Sequence, residues 1–352
     1  PREARRRQLP IDRPRGRHLR TLHTLRRPDS DGRGPPLIMG KSFRGALNGI
    51  GEPGADGLYP RWPGDFHWSP PRMSEVIRLL RHPQVAAWTK PNEWEFANED
   101  WTEECQGVTS DGTHWYLCSN KCGWGLEPER RAIYKFDASM NLMAHHRLGP
   151  FLDANFGNVV CEGVHVGDID WYQSIIYIPV ENPMGLIALS DDFASTSKHR
   201  LLGTNGGAPP QTHFSWCAVN PLNGLLYSSD FDNVNRVFAY EPGTDYKHVA
   251  TLKLPFRTHR VQGGCFSPEG KLYLASDTSH DIRGFSSLTG AYLGSASIQV
   301  EEDDQEVEGI CYWKMTTNGT PTQVHVILLD NDDLSSDDIW LKHYASPVPN
   351  LV

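Results

Sequence analysis

Long apolar runs are missing from this chain of 352 residues. A membrane-crossing helix takes about 18–20 consecutive apolar residues. No stretch approaches that, so no membrane partner is expected. A secretory signal peptide needs an apolar core, and the first residues show none. Cysteine is scarce and unpatterned: seven residues, at 105, 118, 122, 161, 217, 265 and 311, with no CxxC. The odd count and missing motif remove support for a zinc or disulfide framework. Cys118 and Cys122 have a ligand-like spacing but no second pair. Free thiols lean toward a reducing compartment, which makes a soluble, cytoplasmic protein the expectation. HExxH, an EF-hand loop and GxSxG are all absent.

Two near-motifs fail on chemistry. "GIGEPG" at 49–54 spells GxGxxG, but Pro53 sits inside it and no strand-to-helix turn surrounds it. A phosphate cradle needs backbone N–H groups at a helix start. "MGKS" at 39–42 resembles the end of a P-loop, but the first glycine would fall on Pro35. Asn318-Gly319-Thr320 is a glycosylation sequon, relevant only in a secreted protein. The net charge of −9 argues against nucleic-acid binding.

That balance hides two regions. Residues 1–36 hold eleven arginines against four acids and no aromatic residue, so the rest of the chain carries about −16. Residues 1–38 read as a disordered basic arm or non-native sequence, set apart from fold reasoning. A nucleic-acid or transit-peptide role for the arm is the lesser reading. Residues 39–103 form an irregular Trp/Pro-rich extension, with five tryptophans between Trp62 and Trp101. One short helix is predicted there, capped by Ser74 and stopped by Pro83. Val85-Ala86-Ala87-Trp88 reads as a strand.

From residue 104 to 352 the chain repeats. Five segments stack: "ECQGVTSDGTHWYLCS" at 104, "HVGDIDWYQSIIYIPVE" at 165, "HFSWCAVNPLNGLLYSSD" at 213, "RVQGGCFSPEGKLYLASD" at 260 and "EVEGICYWKMTTNGTPTQVHVILLD" at 306. Each is a strand, a turn and a second strand, followed by a polar turn and a third strand. The later starts recur at about 40–50 residues, the length of a four-stranded propeller blade. No helical pattern separates the strands, which argues against βαβ units. The fold class is all-β, a five-bladed β-propeller behind an irregular N-terminal extension. The strand at 85–88 would close the ring on the last blade. A six-bladed ring drawing on residues 40–100 is the alternative.

"GGCFSPEGKLYLASD" and "AVNPLNGLLYSSD…VFAYEPGTD" resemble the repeats of YVTN, NHL and SMP-30-type β-propellers. The resemblance covers about 240 residues and implies architecture. "QGVTSDG" and "GDIDWYQSIIYIPVE" are more loosely similar to the five-bladed glutamine cyclotransferases. Most inner positions differ in residue type, so no catalytic residue carries over.

The first strand of each blade lines the central channel. Small apolar residues fall in its crowded column, and Cys217, Cys265 and Cys311 read as core. Just upstream, every blade places polar groups: Glu104 and Gln106, His165 and Asp168, His213 and Ser215, Arg260 and Gln262, Glu306 and Glu308. Strand residues i and i+2 share a face, about 6.6 Å apart. A solvated wall needs only Ser, Thr and Asn; these residues are ionisable. Paired carboxylates split their proton affinities, and histidine beside carboxylate does acid/base work near neutral pH.

The leading expectation is therefore a lyase or hydrolase on a small polar or sugar-like ligand. His165 or His213 would be the base, with Glu306, Glu308 or Asp168 as acid partner. Arg260, Gln106 and Gln262 would position the substrate, and Trp171 and Trp216, with Trp313, would wall it. Asp168, Asp170 and Glu308 could hold Ca²⁺ as the one candidate cofactor. The alternative is a non-catalytic binding or interaction scaffold with a polar, solvated channel. Three acidic stretches, at 229–233, 276–281 and 329–338, read as turns. "EEDDQE" at 301–306 reads as a linker into the last inner strand. The sequence sets no oligomeric state.

Overall fold

The structure, a computed structural model, describes residues 92–96, 99, 101–121, 131–156, 164–243, 245–300, 305–317, 319–330 and 337–345. In chain order the strands begin with β1 (Asn92–Phe96). Blade 1 holds β2 (Cys105–Ser110), β3 (Trp115–Ser119), β4 (Ala132–Phe136) and β5 (Leu142–Arg147). Helix α1 (Gly149–Phe156) follows. Blade 2 holds β6 (Asp170–Tyr172), β7 (Ile175–Val180), β8 (Gly185–Ser190) and β9 (Thr196–His199). Blade 3 holds β10 (Leu201–Leu202), β11 (Ala218–Val219), β12 (Leu226–Ser228), β13 (Val234–Glu241) and β14 (Tyr246–Thr258). Blade 4 holds β15 (Val261–Phe266), β16 (Lys271–Ser276), β17 (Asp281–Ser286) and β18 (Tyr292–Ser297). Blade 5 holds β19 (Gln305–Thr317), β20 (Thr320–Asp330) and β21 (Asp338–Tyr344).

Each blade is its own sheet, with antiparallel neighbours running from inner to outer strand, so the chain forms a five-bladed β-propeller. Blade 3 adds a fifth, short strand: β10 pairs parallel with β14. Closure comes from β1, which lies antiparallel to β21 as the outer strand of blade 5, with Trp94 opposite Leu341. The closing strand is thus 92–96. The expected strand at 85–88 and helix at 74–83 lie outside the described residues. Blade 5 also takes in residues that the sequence assigned to the extension. The helix α1 carries no helical periodicity that marks it in sequence; it docks by burying Leu152 and Phe156.

The repeated second strands are apolar on both faces because both faces are buried. In β3, Trp115 and Leu117 pack with blade 5, while Tyr116 and Cys118 pack with blade 2. In β16, Leu272 and Leu274 face blade 3, while Tyr273 and Ala275 face blade 5. Among the described residues there are five such interblade clusters, one at each junction around the ring. Sheets buried on both sides read as continuous apolar runs, not as alternation. Cys217, Cys265 and Cys311 sit in these junctions as free, buried thiols, as expected. Cys118 is a core residue too, and burial pushes its thiol well up.

Candidate functional site

The inner strands start at one end of the propeller, and their first residues converge there. Three of them, β2, β15 and β19, carry the same irregularity. The pairing register slips between Cys105 and Gly107, between Val261 and Gly263, and between Val307 and Gly309. The skipped residues are Gln106, Gln262 and Glu308. A bulge residue is unpaired in the ladder and re-aims its side chain, and bulges gather beside active sites.

Below these bulges the axis is closed by Asp168. It is fully buried. Its Oδ1 accepts from the N–H of Val108 at 3.1 Å, and its Oδ2 accepts from Gly264 and Ile310, each at 3.2 Å. Through its backbone Asp168 also bonds blade 3: its N–H donates to the Ser215 carbonyl, and its carbonyl accepts from the Cys217 N–H. One residue therefore ties together all five blades. The glycines after the bulges make room for it. A Cβ on Gly107, Gly263 or Gly309 would sit 3.1, 2.7 or 2.8 Å from a carboxylate oxygen of Asp168. Burial pushes the Asp168 carboxyl well up, and the three N–H donors pull it back down.

Above the plug, the mouth is rich in carboxylates. Gln262 Nε2 donates to Glu308 Oε1 at 3.3 Å. Arg260 bridges Asp277 at 2.7 Å and Glu306 at 3.4 Å. Asp277 also accepts from the N–H of Val307, and Asp337 accepts from the N–H of Glu104. Glu308 is buried, and burial pushes its carboxyl well above the ordinary range. The negative charges of Glu306, Asp277 and Glu104 push it further. Neighbouring carboxyls cannot both ionise cheaply. Burial and these neighbours therefore favour the neutral form of Glu308. Burial and Asp337 likewise raise Glu104, with Lys121 pulling it down.

The structure brings Glu306, Glu308, Gln262 and Arg260 together. It does not join either histidine to them. His165 has Glu181 as its ionisable neighbour, at 4.0 Å. Burial pushes that imidazole down, Glu181 pulls it back up, and Nδ1 has no hydrogen-bond partner. His213 is exposed; its backbone N–H donates to Asp230 and its carbonyl accepts from Gln211 Nε2. The expected histidine–glutamate couple is therefore not assembled; Glu308 is bonded by Gln262 and Glu306 by Arg260.

Other expected positions move away from the mouth. Asp168 is a buried plug, not a group open to substrate. Trp216 is fully buried at the junction of blades 3 and 4, its ring against Gly264 and its Nε1 on Ser229. No ligand can stack on it there. Trp171 lies beyond the plug, with Nε1 donating to Asp191. Trp313 packs edge-on against Trp115 in the core. Asp170 also lies past the plug. It accepts from the Val219 N–H at 2.7 Å and from Thr109 Oγ1 at 3.3 Å, and burial pushes its carboxyl up to about 7. The set of Asp168, Asp170 and Glu308 is therefore not assembled around a common point. Among the described residues no group of three or more His, Cys, Asp or Glu is arranged to hold a metal ion.

Sequence reasoning missed the turn residues as blade links: Asn120, Asp277 and Asp337 each bond the start of the next inner strand. It also missed the bulges. The signal was present as a polar residue before glycine at the same repeat position: Gln106-Gly107, Gln262-Gly263 and Glu308-Gly309.

Among the described residues no helix is long and apolar enough to cross a membrane. No protein-family model matches the chain, and no curated protein matches it. Solved structures do. A glutaminyl cyclase from Myxococcus xanthus aligns at 12% identity over 74% of this chain and 97% of its own, with a TM-score of 0.48. A streptogramin B lyase aligns at 12% identity over 74% of each chain, TM-score 0.38. A luciferin-regenerating enzyme aligns at 10% identity over 74% of this chain and 100% of its own, TM-score 0.42. All three are β-propellers. The five sheets of this chain carry its fold assignment.

Proposed function

We infer that the chain is an enzyme, a lyase or hydrolase that works by acid/base chemistry on a small polar or sugar-like molecule at the propeller mouth. The observation that carries this reading is the buried Glu308 carboxyl, hydrogen-bonded by Gln262 and two residues from the arginine-paired Glu306. A buried carboxyl whose surroundings favour its neutral form can donate a proton, and a more exposed carboxyl nearby can accept one. Glu308 is the general acid. Glu306, more exposed and paired with Arg260, is the carboxylate that takes a proton or activates water. The carboxamides of Gln106 and Gln262 orient hydroxyl or carbonyl groups. Asp168 seals the axis, so substrate enters and product leaves by the same mouth.

A second reading, a non-catalytic binding scaffold, draws on Arg260. Its guanidinium is already held by Asp277 and Glu306, which leaves less of it for an anionic substrate. Turnover separates the two. A panel of small glycosides, lactones and amides is offered to wild type, Glu308→Gln and Glu306→Gln. The enzymatic reading expects one class to be turned over and both variants to lose about 10²–10⁴-fold in kcat. Turnover that survives Glu308→Gln removes the acid assignment. Binding without turnover favours the scaffold.

A further inference from the structure

We propose that Asp168 is a positioning residue that sets Gln106, Gln262 and Glu308 in one constellation above the propeller axis. The proposal deepens the reading of the mouth as a reactive site and rests on it for its functional meaning.

Three coincidences of position carry it. The three N–H groups that bond the Asp168 carboxylate belong to Val108, Gly264 and Ile310. Two residues before each lies Gln106, Gln262 or Glu308. Each of those is the residue at which its inner strand bulges. Between bulge and bond, in all three blades, stands a glycine whose absent side chain would strike Asp168. Blades 2 and 3 do not follow the pattern. Two residues before Asp168 and Trp216 stand Val166 and Phe214, both fully buried and apolar. The polar bulges occur in the three blades that the carboxylate grips, and not in the other two.

The physical consequence is preorganisation. A bulge has an unpaired residue and would be free to relax. A carboxylate that takes backbone N–H bonds from three separate chain segments fixes them relative to one another. The bonds are buried, so they are short on alternatives. A side chain two residues away then inherits a defined origin. Asp168 touches no substrate in this account. It acts through the backbone, and the groups it places are two carboxamides and a carboxylic acid.

The test reads the placement of Glu308 without needing a substrate. Glu308 faces Glu306, Asp277, Glu104 and the carboxamide of Gln262, and its proton affinity reports that packing. Carbon-13 NMR of labelled glutamate follows the Glu308 carboxyl against pH, assigned with Glu308→Gln. The samples are wild type, Asp168→Asn, Gly263→Ala and Gly309→Ala. The alanine variants keep Asp168 and disturb its seat, so the test survives if Asp168→Asn does not fold. Ile187→Val, in the junction of blades 1 and 2, is the control for plain loss of stability.

The expected result is a roughly tenfold or greater drop in Glu308 proton affinity in the seat variants. The control should match wild type. An unchanged Glu308 titration in folded seat variants overturns the proposal, and so does an equal shift in the control. The outcome is independent of turnover. A mouth with no activity but a shifted Glu308 removes the enzymatic reading and leaves the positioning intact. An active mouth with an unmoved Glu308 does the reverse.

Discussion

The carboxylate of Asp168 accepts a hydrogen bond from the backbone N–H of Ile310, 142 residues further along the chain, at 3.2 Å. A ring of blades has no single hydrophobic centre to hold it. Here a buried carboxylate supplies one, and the blades meet around it.

Replacing it should therefore cost more than an ordinary polar deletion. Asp168→Ala leaves the N–H groups of Val108, Gly264 and Ile310 buried without acceptors. Each such orphan costs about 1–3 kcal/mol. A loss of about 3 kcal/mol or more is expected, read as a lower urea midpoint at unchanged slope. A loss below about 1 kcal/mol would mean that the blades hold without the plug.

Glu308 should cost stability where Asp168 supplies it. Its carboxyl titrates above the ordinary 4.5 in the folded chain. The folded state then binds more protons than the unfolded state across that window, so stability falls as pH rises through it. Glu308→Gln removes the titration. The variant should melt at or above wild type at pH 8 and show no gain at pH 4. A variant less stable than wild type at pH 8 would show an ionised carboxylate held by its partners.

Blade 5 holds a buried histidine pair on β20 and β21. The Nδ1 atoms of His325 and His343 are 2.7 Å apart, and His325 Nε2 is 2.8 Å from the Trp313 carbonyl. A carbonyl can only accept, so His325 carries its proton on Nε2. Its Nδ1 is then the acceptor, and His343 Nδ1–H is the donor. Burial pushes the pair down, to about 4 for His325 and about 3 for His343. The unfolded chain takes up these protons from about pH 6.5 downward. Stability is full above that value and is lost as pH falls through about 4 and then about 3. His343→Phe keeps a ring against Trp94, which meets it edge-on with ring centroids 4.2 Å apart. It should flatten the acid limb of the unfolding profile. An unchanged acid limb would place the pH sensitivity elsewhere.

Ring closure has its own ion pair. Lys342 is fully buried; its Nζ lies 3.1 Å from Glu93 Oε2 on β1 and donates to the Gln299 carbonyl at 2.7 Å. Glu93→Ala should cost about 2 kcal/mol, below the 3–5 of a fully buried pair because the Glu93 side chain is 30% exposed. Hydrogen exchange should speed up first in Asn92–Phe96. Uniform exchange across all blades would show that β1 is held by its backbone bonds alone.

The blade count and strand order were legible because the second strands repeat short apolar runs between polar turns, with a tyrosine in β3, β7, β12 and β16. Those runs are dictated locally, by burial on both faces. Cys217, Cys265 and Cys311 were legible for the same reason. The mouth was legible as a place, since polar residues recur before every inner strand. Which of them meet was not. Strand register decides that, and a bulge of one residue turns Glu308 toward Glu306 and Gln262 while Trp216 turns into a junction. The closing strand was also out of reach, because β1 matches β21 only through pairing across the whole chain. Asp168 shows the division most plainly. By itself the sequence determined that a carboxylate stands at the start of an inner strand. Only the tertiary structure decided that it faces N–H groups from three other blades, because a hydrogen bond depends on distance in space and not on separation along the chain.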